Sequence, residues 1–487
     1  MAATRQRAEE HGNSMECDVV VLGGGPGGYP AAIRAAQLGA RVVLVEKDRI
    51  GGTCITVGCI PTKTWVQTAH GLKDATHTFS QLGIQVGEVS LDFAQTQRNK
   101  EGIVSGLVNG ITGVVRANGI TVVQGEGRFT GPNTLAVEGA ETIEFRSAII
   151  ASGSHSLRPP IDGIDGPACV DSTGLLEVEQ VPGRIAILGG GVIGVEFASA
   201  LRHFGSEVTI VEMLDRLIPM EDADASKELQ RAFKKRGIGM ELGARATSIA
   251  HDGGTATLTY ENAAGSAGAV EADLVLVATG RGPNVEGIGL EQAGVVYDRR
   301  AGITVDERLR TNVPHIFAVG DVAGRWQLAH TAFREGEVAA ENALGHDGPV
   351  DETAVPRCVY TDPEVAAVGL TEEQAREAHG DNVVVGRFPF AASARAQMYA
   401  ERTGWAKTIH ENRYGELLGL VIVGPQATEL VNAGVVGIGA EVTIETLADS
   451  IAAHPTLAEA VKEAALVALG RQIHLPPARP RASVAAR

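Results

Sequence analysis

The sequence predicts a doubly wound α/β chain with an α+β region toward its C-terminal end, on three observations. A short apolar strand, a G-x-G-x-x-G turn, a helical stretch, a second strand and a closing acid occur twice in that order, over 18–46 and 184–212. Two cysteines, Cys54 and Cys59, stand five positions apart in GGTCITVGCIPTK directly after the first of these units. From Thr353 the pattern changes to strand-like runs followed by helices. With 487 residues the chain has room for about three domains.

Composition narrows the class. Hydrophobic residues at 44% and charged residues at 21% describe a soluble globular protein, and a net charge of −17 argues against a nucleic-acid partner. The first fifteen residues hold no apolar core, so 1–15 reads as a disordered tail, neither signal peptide nor anchor. No run approaches the roughly twenty apolar residues of a membrane span. The reading is therefore cytoplasmic, with no membrane partner. Cys17, Cys54, Cys59, Cys169 and Cys358 are too sparse for a secreted disulfide scaffold, and no cysteine or histidine spacing suggests a metal.

Asp18–Leu22 reads as the first buried strand, followed by GGGPGG and a helix through Leu38. Gly23, Gly25 and Gly28 let the backbone turn tightly and approach a pyrophosphate at the positive helix end. Arg41–Val45 is the second strand. Glu46 closes it about twenty residues on, where a carboxylate can accept hydrogen bonds from ribose hydroxyls. Pro30 falls close to the first helical turn, where it is tolerated.

In an ideal helix the alpha carbons of Cys54 and Cys59 would stand roughly 8–9 Å apart, whereas a disulfide needs about 4.4–6.8 Å. The two are either a bent, labile pair, with Gly58 permitting the bend, or two separate buried thiols. The chain then reads as mainly helical from Lys63 to Asn118, with short strands at Thr121–Val123, Thr134–Val137 and Ala148–Ile150. Small-residue turns lie at Gly125–Gly127 and Ala151–Gly153.

The second unit runs from Arg184–Leu188 through Gly189, Gly191 and Gly194 to a helix ending near Phe204, then Val208–Val211 and Glu212. Two complete copies imply two dinucleotides, which fits one tightly held flavin and one exchanging nicotinamide. Glu212 suits the free ribose hydroxyls of NAD and repels the 2′-phosphate of NADP; only Arg216 nearby is basic. Leu274–Gly280 is a buried strand, and 311–321 delivers Asp321 to a tight turn. Beyond it come strands at Arg357–Tyr360, Glu364–Gly369, Asn382–Phe388, Trp405–His410 and Leu417–Val423, then helices over Ala427–Ala440 and Ile444–Ala453. In AHPTLAE, His454 is of the type whose ordinary pKa, about 6.5, suits proton exchange with thiols, and Glu459 can orient its ring.

GGTCITVGCIPTK resembles the redox-active segment of the pyridine nucleotide–disulfide oxidoreductases, flavoproteins that include glutathione reductase, mercuric reductase and dihydrolipoamide dehydrogenase. Thr56 stands where members commonly carry asparagine. The likeness covers about 17–475 with its motifs in order. HPTLAE is most similar to the dihydrolipoamide dehydrogenase form, though Ala452 replaces a histidine often found two positions before the catalytic one. There is no C-terminal cysteine pair of the mercuric or thioredoxin reductase kind. Both cysteines of the redox segment are kept, unlike transhydrogenases, and Glu212 disfavours the NADP enzymes.

The resemblance implies an FAD-binding domain over 16–152 and 282–352, an NAD-binding domain over 153–281, an interface domain over 353–475 that forms a homodimer, and a disordered tail at 476–487. It implies that Cys54 and Cys59 form a redox disulfide and that Lys63 and Glu196 pair beside the flavin. Gly127, Ser152, Gly153, Asp321 and the segment Gln327, Leu328, Ala329 and His330 are expected at FAD, and Gly280 at NAD. His454 and Glu459 are expected to serve the disulfide of the other subunit. The expected reaction is oxidation of protein-bound dihydrolipoamide, with hydride passed to NAD. The expected partner is the lipoyl domain of a 2-oxoacid dehydrogenase or glycine cleavage complex. The alternative is an NADH-linked reductase of another small disulfide.

Overall fold

The computed structural model describes residues 14–477. Apart from 14–15 and 476–477, the two expected tails lie outside the described residues. Ser14 and Met15, assigned to the tail, instead open the strand Ser14–Leu22 and pair with Thr142 and Ile143. Their end of the strand alternates between exposed and half-buried, so it lacks the apolar run that marks Val19–Leu22.

Ser14–Leu22 is central to a seven-stranded sheet, flanked by Val42–Glu46 on one side and Thr142–Ile150 on the other. Thr142–Ile150 uses its first residues to pair antiparallel with Thr134–Val137 and its last to pair parallel with Ile316–Ala318. The chain thus returns to the first domain after the second, as expected, and sets Asp321 beside the first glycine turn's sheet. Gly127–Gly131 adds an edge strand that the sequence reading missed.

The helical stretch expected over Lys63–Asn118 is divided. Cys59–Lys73 continues through a π turn to Gln81, and Phe93–Ala117 begins afresh with Asp92 as its N-cap. Gly83, Gly87 and that capping aspartate break the pattern between them. Trp65, on Cys59–Lys73, is fully buried. Its ring meets Phe93, Phe197 and Phe204 edge-on at 5.3, 6.0 and 5.9 Å. Phe197 and Phe204 belong to Val192–Phe204, the helix of the second glycine unit. Each such ring pair adds about 0.5–1.5 kcal/mol beyond its buried area. The cysteine-bearing helix is thereby clamped to the other domain.

The second unit forms a parallel five-stranded sheet in the order Gly239–Leu242, Glu207–Glu212, Arg184–Leu188, Leu274–Val277, Cys169–Val170. A three-stranded antiparallel sheet over 245–272 packs on it through Ile249, Leu258 and Tyr260, and was not anticipated. Its strands alternate small or apolar residues with threonine and glutamate around glycine turns, without the continuous β-branched runs of the central strands.

The C-terminal domain is a five-stranded antiparallel sheet in the order Arg357–Val359, Glu364–Gly369, Leu417–Gly424, Trp405–Glu411, Val383–Pro389. The helix expected over Ala427–Ala440 is two pieces, Ala427–Leu430 and Asn432–Gly439, and Ile444–Asp449 stops before the histidine motif. A further helix, Glu459–Ala468, crosses the sheet so closely that a Cβ on Gly386 would lie 1.9 Å from the Ala464 carbonyl oxygen. Asp362 joins the three parts of the chain, meeting Lys73 at 3.0 Å, His203 at 3.1 Å and Arg236 at 3.3 Å.

Candidate active site

The cysteine segment is folded against the first glycine turn. Gly52 is left-handed, φ +56°, and a Cβ on it would lie 2.5 Å from the Gly25 alpha carbon. The short helix Gly52–Thr56 ends, and Cys59–Lys73 starts after Gly58. A Cβ on Gly58 would lie 2.8 Å from the Thr53 carbonyl oxygen, so this bend needs glycine for room and not for a left-handed φ. The bend brings the Cys54 and Cys59 side chains into contact. Cys54 donates to Cys59, and this contact, with help from the Lys63 cation, brings Cys59 down to about 7 against the opposing effect of burial. The same contact, burial and the charge on Cys59 push the Cys54 thiol far above its ordinary value. Cys59 is thus the more acidic sulfur of the two and Cys54 the less.

Lys63 and Glu196 meet as expected, Nζ to Oε2 at 2.7 Å. Burial opposes the Lys63 cation, yet Glu196 and Cys59 outweigh it and hold its pKa above the ordinary value. Tyr360 completes this group: its backbone N–H donates to Glu196 Oε1 at 3.0 Å, and the Lys63 ammonium sits 4.7 Å from its ring centre. Tyr360 was missed as a site residue, because one contribution is backbone and the other depends on a neighbour almost 300 positions away.

Both glycine turns fit a bound dinucleotide. A Cβ on Gly28 would lie 1.7 Å from the Gly23 oxygen, and one on Gly194 would lie 2.1 Å from the Gly189 oxygen. Gly191, by contrast, has nothing within 4 Å of its missing Cβ, leaving the approach to the turn open. Val192–Phe204 has no side-chain N-cap, which leaves its first N–H groups facing an anion, whereas in Gly28–Gln37 the Gly28 and Tyr29 N–H groups donate to the Gly25 carbonyl. Glu46 accepts from Gly24 N–H at 2.6 Å and Asp48 N–H at 2.7 Å, which locks the first turn to its acid. Glu212 does the same with Gly190 at 2.5 Å and Leu214 at 2.7 Å. Arg216, the one base near Glu212, donates to the Pro219 carbonyl and faces Glu373 at 3.7 Å.

Around Asp321 the domains interlace. Ser154 donates its hydroxyl to Asp321, and Arg281 donates to Ser154 Oγ at 2.8 Å. Ser152 and Asn284 exchange hydrogen bonds at 2.9 Å, and Asn284 N–H donates to the Gly153 carbonyl. Ser154, Arg281 and Asn284 were not singled out from the sequence, since they act across strand crossings that carry no motif. Gly320, at the Asp321 turn, donates its N–H to buried Glu335 at 2.5 Å; burial and neighbouring Glu352 raise Glu335 to about 7. Gln327 donates to the Arg281 carbonyl, Leu328 and Ala329 open the helix Ala329–Ala343, and His330 bonds the Pro356 carbonyl. Gly127 leaves room for Leu22 and Val45 inside its sheet, and Gly280 is left-handed, φ +126°.

His454 and Glu459 form the expected dyad, Nδ1 to Oε1 at 2.9 Å. Glu459 Oε2 also accepts Thr456 N–H at 2.8 Å. Although the carboxyl is partly desolvated, the Thr456 N–H and His454 keep it below its ordinary value. Within one chain the dyad has no hydrogen bond to the thiols: the groups acting most on Cys54 are Cys59, Lys63 and Asp321.

Residues 17–336 match the family model described as pyridine nucleotide-disulphide oxidoreductase, and 355–465 match that family's dimerisation domain. A dihydrolipoyl dehydrogenase of Bacillus subtilis is 40% identical over 465 residues, spanning 94% of this chain and 99% of that one. The mitochondrial dihydrolipoyl dehydrogenase of Pisum sativum is also 40% identical, over 97% of this chain and 95% of its own. Among solved structures, the Cu(II) complex of RclA from Escherichia coli, an HOCl-induced flavoprotein disulfide reductase, superposes with a TM-score of 0.84. It is 32% identical, over 93% of this chain and 99% of that one.

Proposed function

The chain belongs to the pyridine nucleotide–disulphide oxidoreductases and is a dihydrolipoyl dehydrogenase-like enzyme using FAD and NAD; from this we propose that it oxidises protein-bound dihydrolipoamide to lipoamide through Cys54 and Cys59. The observation that carries the proposal is the arrangement of the thiol pair: the bend at Gly58 sets Cys54 beside Cys59, and Lys63, on the helix that Cys59 opens, is held by Glu196 at 2.7 Å; with it, Cys59 is the more acidic sulfur. A low-pKa sulfur is the better leaving group in thiol–disulfide exchange.

In the proposed sequence, His454 of the partner subunit takes the proton from one substrate thiol. The resulting thiolate attacks Cys54 of the oxidised pair, and Cys59 leaves as thiolate. The second substrate thiol then attacks the mixed disulfide, closing the lipoyl ring and releasing Cys54, which is protonated. FAD, held at the Gly23–Gly28 turn, Glu46 and the Asp321 turn, would supply two-electron exchange between the Cys54–Cys59 dithiol and NAD. Lys63, backed by Glu196, holds the Cys59 negative charge next to that group. Glu459 keeps the His454 proton on Nδ1 and leaves Nε2 as base. Glu212, with Arg216 engaged elsewhere, favours NAD over NADP.

The same reading makes the protein a cytoplasmic homodimer that serves a lipoyl domain of a 2-oxoacid dehydrogenase or glycine cleavage complex. Among the described residues no helix is long and apolar enough to cross a membrane. The likeness to a disulfide reductase favours one rival, an NADH-linked reductase of another small disulfide. Steady-state rates with dihydrolipoamide, glutathione disulfide and mercuric ion, measured on the same preparation, test the choice. Turnover of dihydrolipoamide with NAD supports the proposal; faster turnover of another disulfide with NADH overturns it.

A further inference from the structure

Helix Glu459–Ala468 carries two carboxylates one turn apart, Glu459 and Glu463. Each holds a histidine through the same ring atom. Glu459 Oε1 meets His454 Nδ1 at 2.9 Å, and Glu463 Oε1 meets His474 Nδ1 at 2.8 Å. His474 arrives from the segment beyond the helix, which turns back on itself. Arg471 donates its N–H to the Leu466 carbonyl and its guanidinium to Asp449, and Leu475 packs against the core of the C-terminal sheet. The ring is thus fixed from both sides of its own position.

The two pairs also act on each other, since the charge of His474 adds to the groups that hold the Glu459 carboxyl down. Glu463 is the unusual member. Its side chain is only 8% exposed, and its Oε2 is buried without a hydrogen-bond partner. A histidine serving only as surface needs no buried carboxylate behind it, and leaving such an oxygen unsatisfied is costly. Within one chain both rings, in contrast, are open, 71% exposed for His454 and 61% for His474. With Nδ1 taken by a carboxylate in each case, Nε2 is the free position on both.

We propose that His474 and Glu463 form a second acid–base dyad of the same site, which receives from His454 the proton taken from the substrate thiol and releases it to solvent. This rests on the functional reading above. Oxidising a dithiol with NAD leaves one proton to be discharged per turnover. The thiol S–H bond breaks as N–H forms on His454 Nε2. That bond breaks in turn as N–H forms on His474 Nε2, directly or through a water, and the proton passes to water. No electrons move in these steps. Glu463 stabilises the imidazolium that His474 transiently becomes, as Glu459 does for His454.

The test compares FAD-loaded wild type with His474→Gln and His454→Gln, following oxidation of dihydrolipoamide by NAD with and without added imidazole. His474→Gln is expected to lower kcat about tenfold, less than the roughly 10²–10⁴-fold of a general acid–base that meets the reacting group itself, with KM near wild type. Its solvent deuterium isotope effect should exceed that of wild type, and imidazole should restore most of the loss. Wild-type kcat and isotope effect in His474→Gln overturn the relay. So does a fall in kcat that imidazole leaves unchanged while FAD content and melting temperature stay normal. If His454→Gln is inactive while His474→Gln is not impaired, the functional reading stands and only the relay falls. A wild type that cannot oxidise dihydrolipoamide overturns both.

Discussion

Lys63 Nζ stands 2.7 Å from Glu196 Oε2, joining the helix that begins with Cys59 to the helix that begins at the second glycine turn. The cation lowers Cys59, and the anion keeps the cation charged in a buried place. One ion pair therefore couples the state of the sulfur to the packing of two domains.

In the reduced protein stripped of FAD, ultraviolet thiolate absorbance should titrate with a midpoint of about 7, owing to Cys59. Its largest cause is the Cys54 hydrogen bond, so Cys54→Ala should raise the midpoint, whereas Cys54→Ser, which can still donate, should raise it less. Lys63→Met should also raise it, by removing the cation. The thiolate is favoured above the midpoint and lost as pH falls through it. A midpoint that stays near 7 in both Cys54→Ala and Lys63→Met would refute this account.

Glu196→Ala leaves the Lys63 ammonium without its carboxylate partner. Breaking a fully buried pair costs about 3–5 kcal/mol; with the Lys63 side chain 30% exposed the loss should fall below that, read as a lower denaturation midpoint in urea. Wild-type stability in this variant would show that solvent replaces the carboxylate.

Discrimination between nicotinamide cofactors follows from Glu212 and from the engagement of Arg216 with Pro219 and Glu373. NAD should exceed NADP in kcat/KM by roughly tenfold or more, about 1.4 kcal/mol of transition-state binding. Glu212→Arg should narrow the ratio. Equal efficiency in the wild type would mean that Arg216 turns to bind the phosphate.

Cys54→Ser and His454→Gln homodimers should each be nearly inactive with dihydrolipoamide. Mixed by reversible dissociation, they should recover roughly a quarter of wild-type activity per site, assuming independent sites, because about half the dimers then hold one intact site. Heterodimers confirmed by mass spectrometry but without recovery would place the cysteine and the histidine in the same chain's site.

Trp65→Ala should destabilise the protein by about 3–5 kcal/mol, the usual range for removing a buried aromatic. Trp65→Phe should cost less, because it keeps an edge-on ring and loses mainly the bond to Gln97. Equal losses in the two variants would assign the effect to that hydrogen bond and not to the ring cluster.

Much of the site was legible because its chemistry is carried by motifs of fixed spacing. The glycine turns, Glu46, Glu212, the Cys54 and Cys59 spacing and the His454–Glu459 pair declare themselves by residue type and offset, whereas Lys63 and its meeting with Glu196 followed only from resemblance. Tyr360, Ser154, Arg281 and Asn284 did not. They act through backbone groups or across strand crossings, where no local pattern records the neighbour. The sheet over 245–272 was missed for a related reason. Its threonines and glutamates face solvent, and only alternate positions reach the core. The helix breaks at 82–92 and at Val431 also escaped periodicity, which registers an apolar face more readily than the cap or turn that ends it.

The ring cluster around Trp65 has a consequence for anyone recombining such chains. Domain limits drawn along the sequence would assign Cys59–Lys73 to the first domain and Val192–Phe204 to the second, as separable cassettes. Mechanically the two helices are one part, since Trp65 is seated among Phe93, Phe197 and Phe204. A hybrid that imports the nicotinamide cassette from a relative brings two of the three socket rings with it. It will keep its cysteines in place only if the imported helix offers the same two rings, so the inheritable unit here is the helix pair and not the domain.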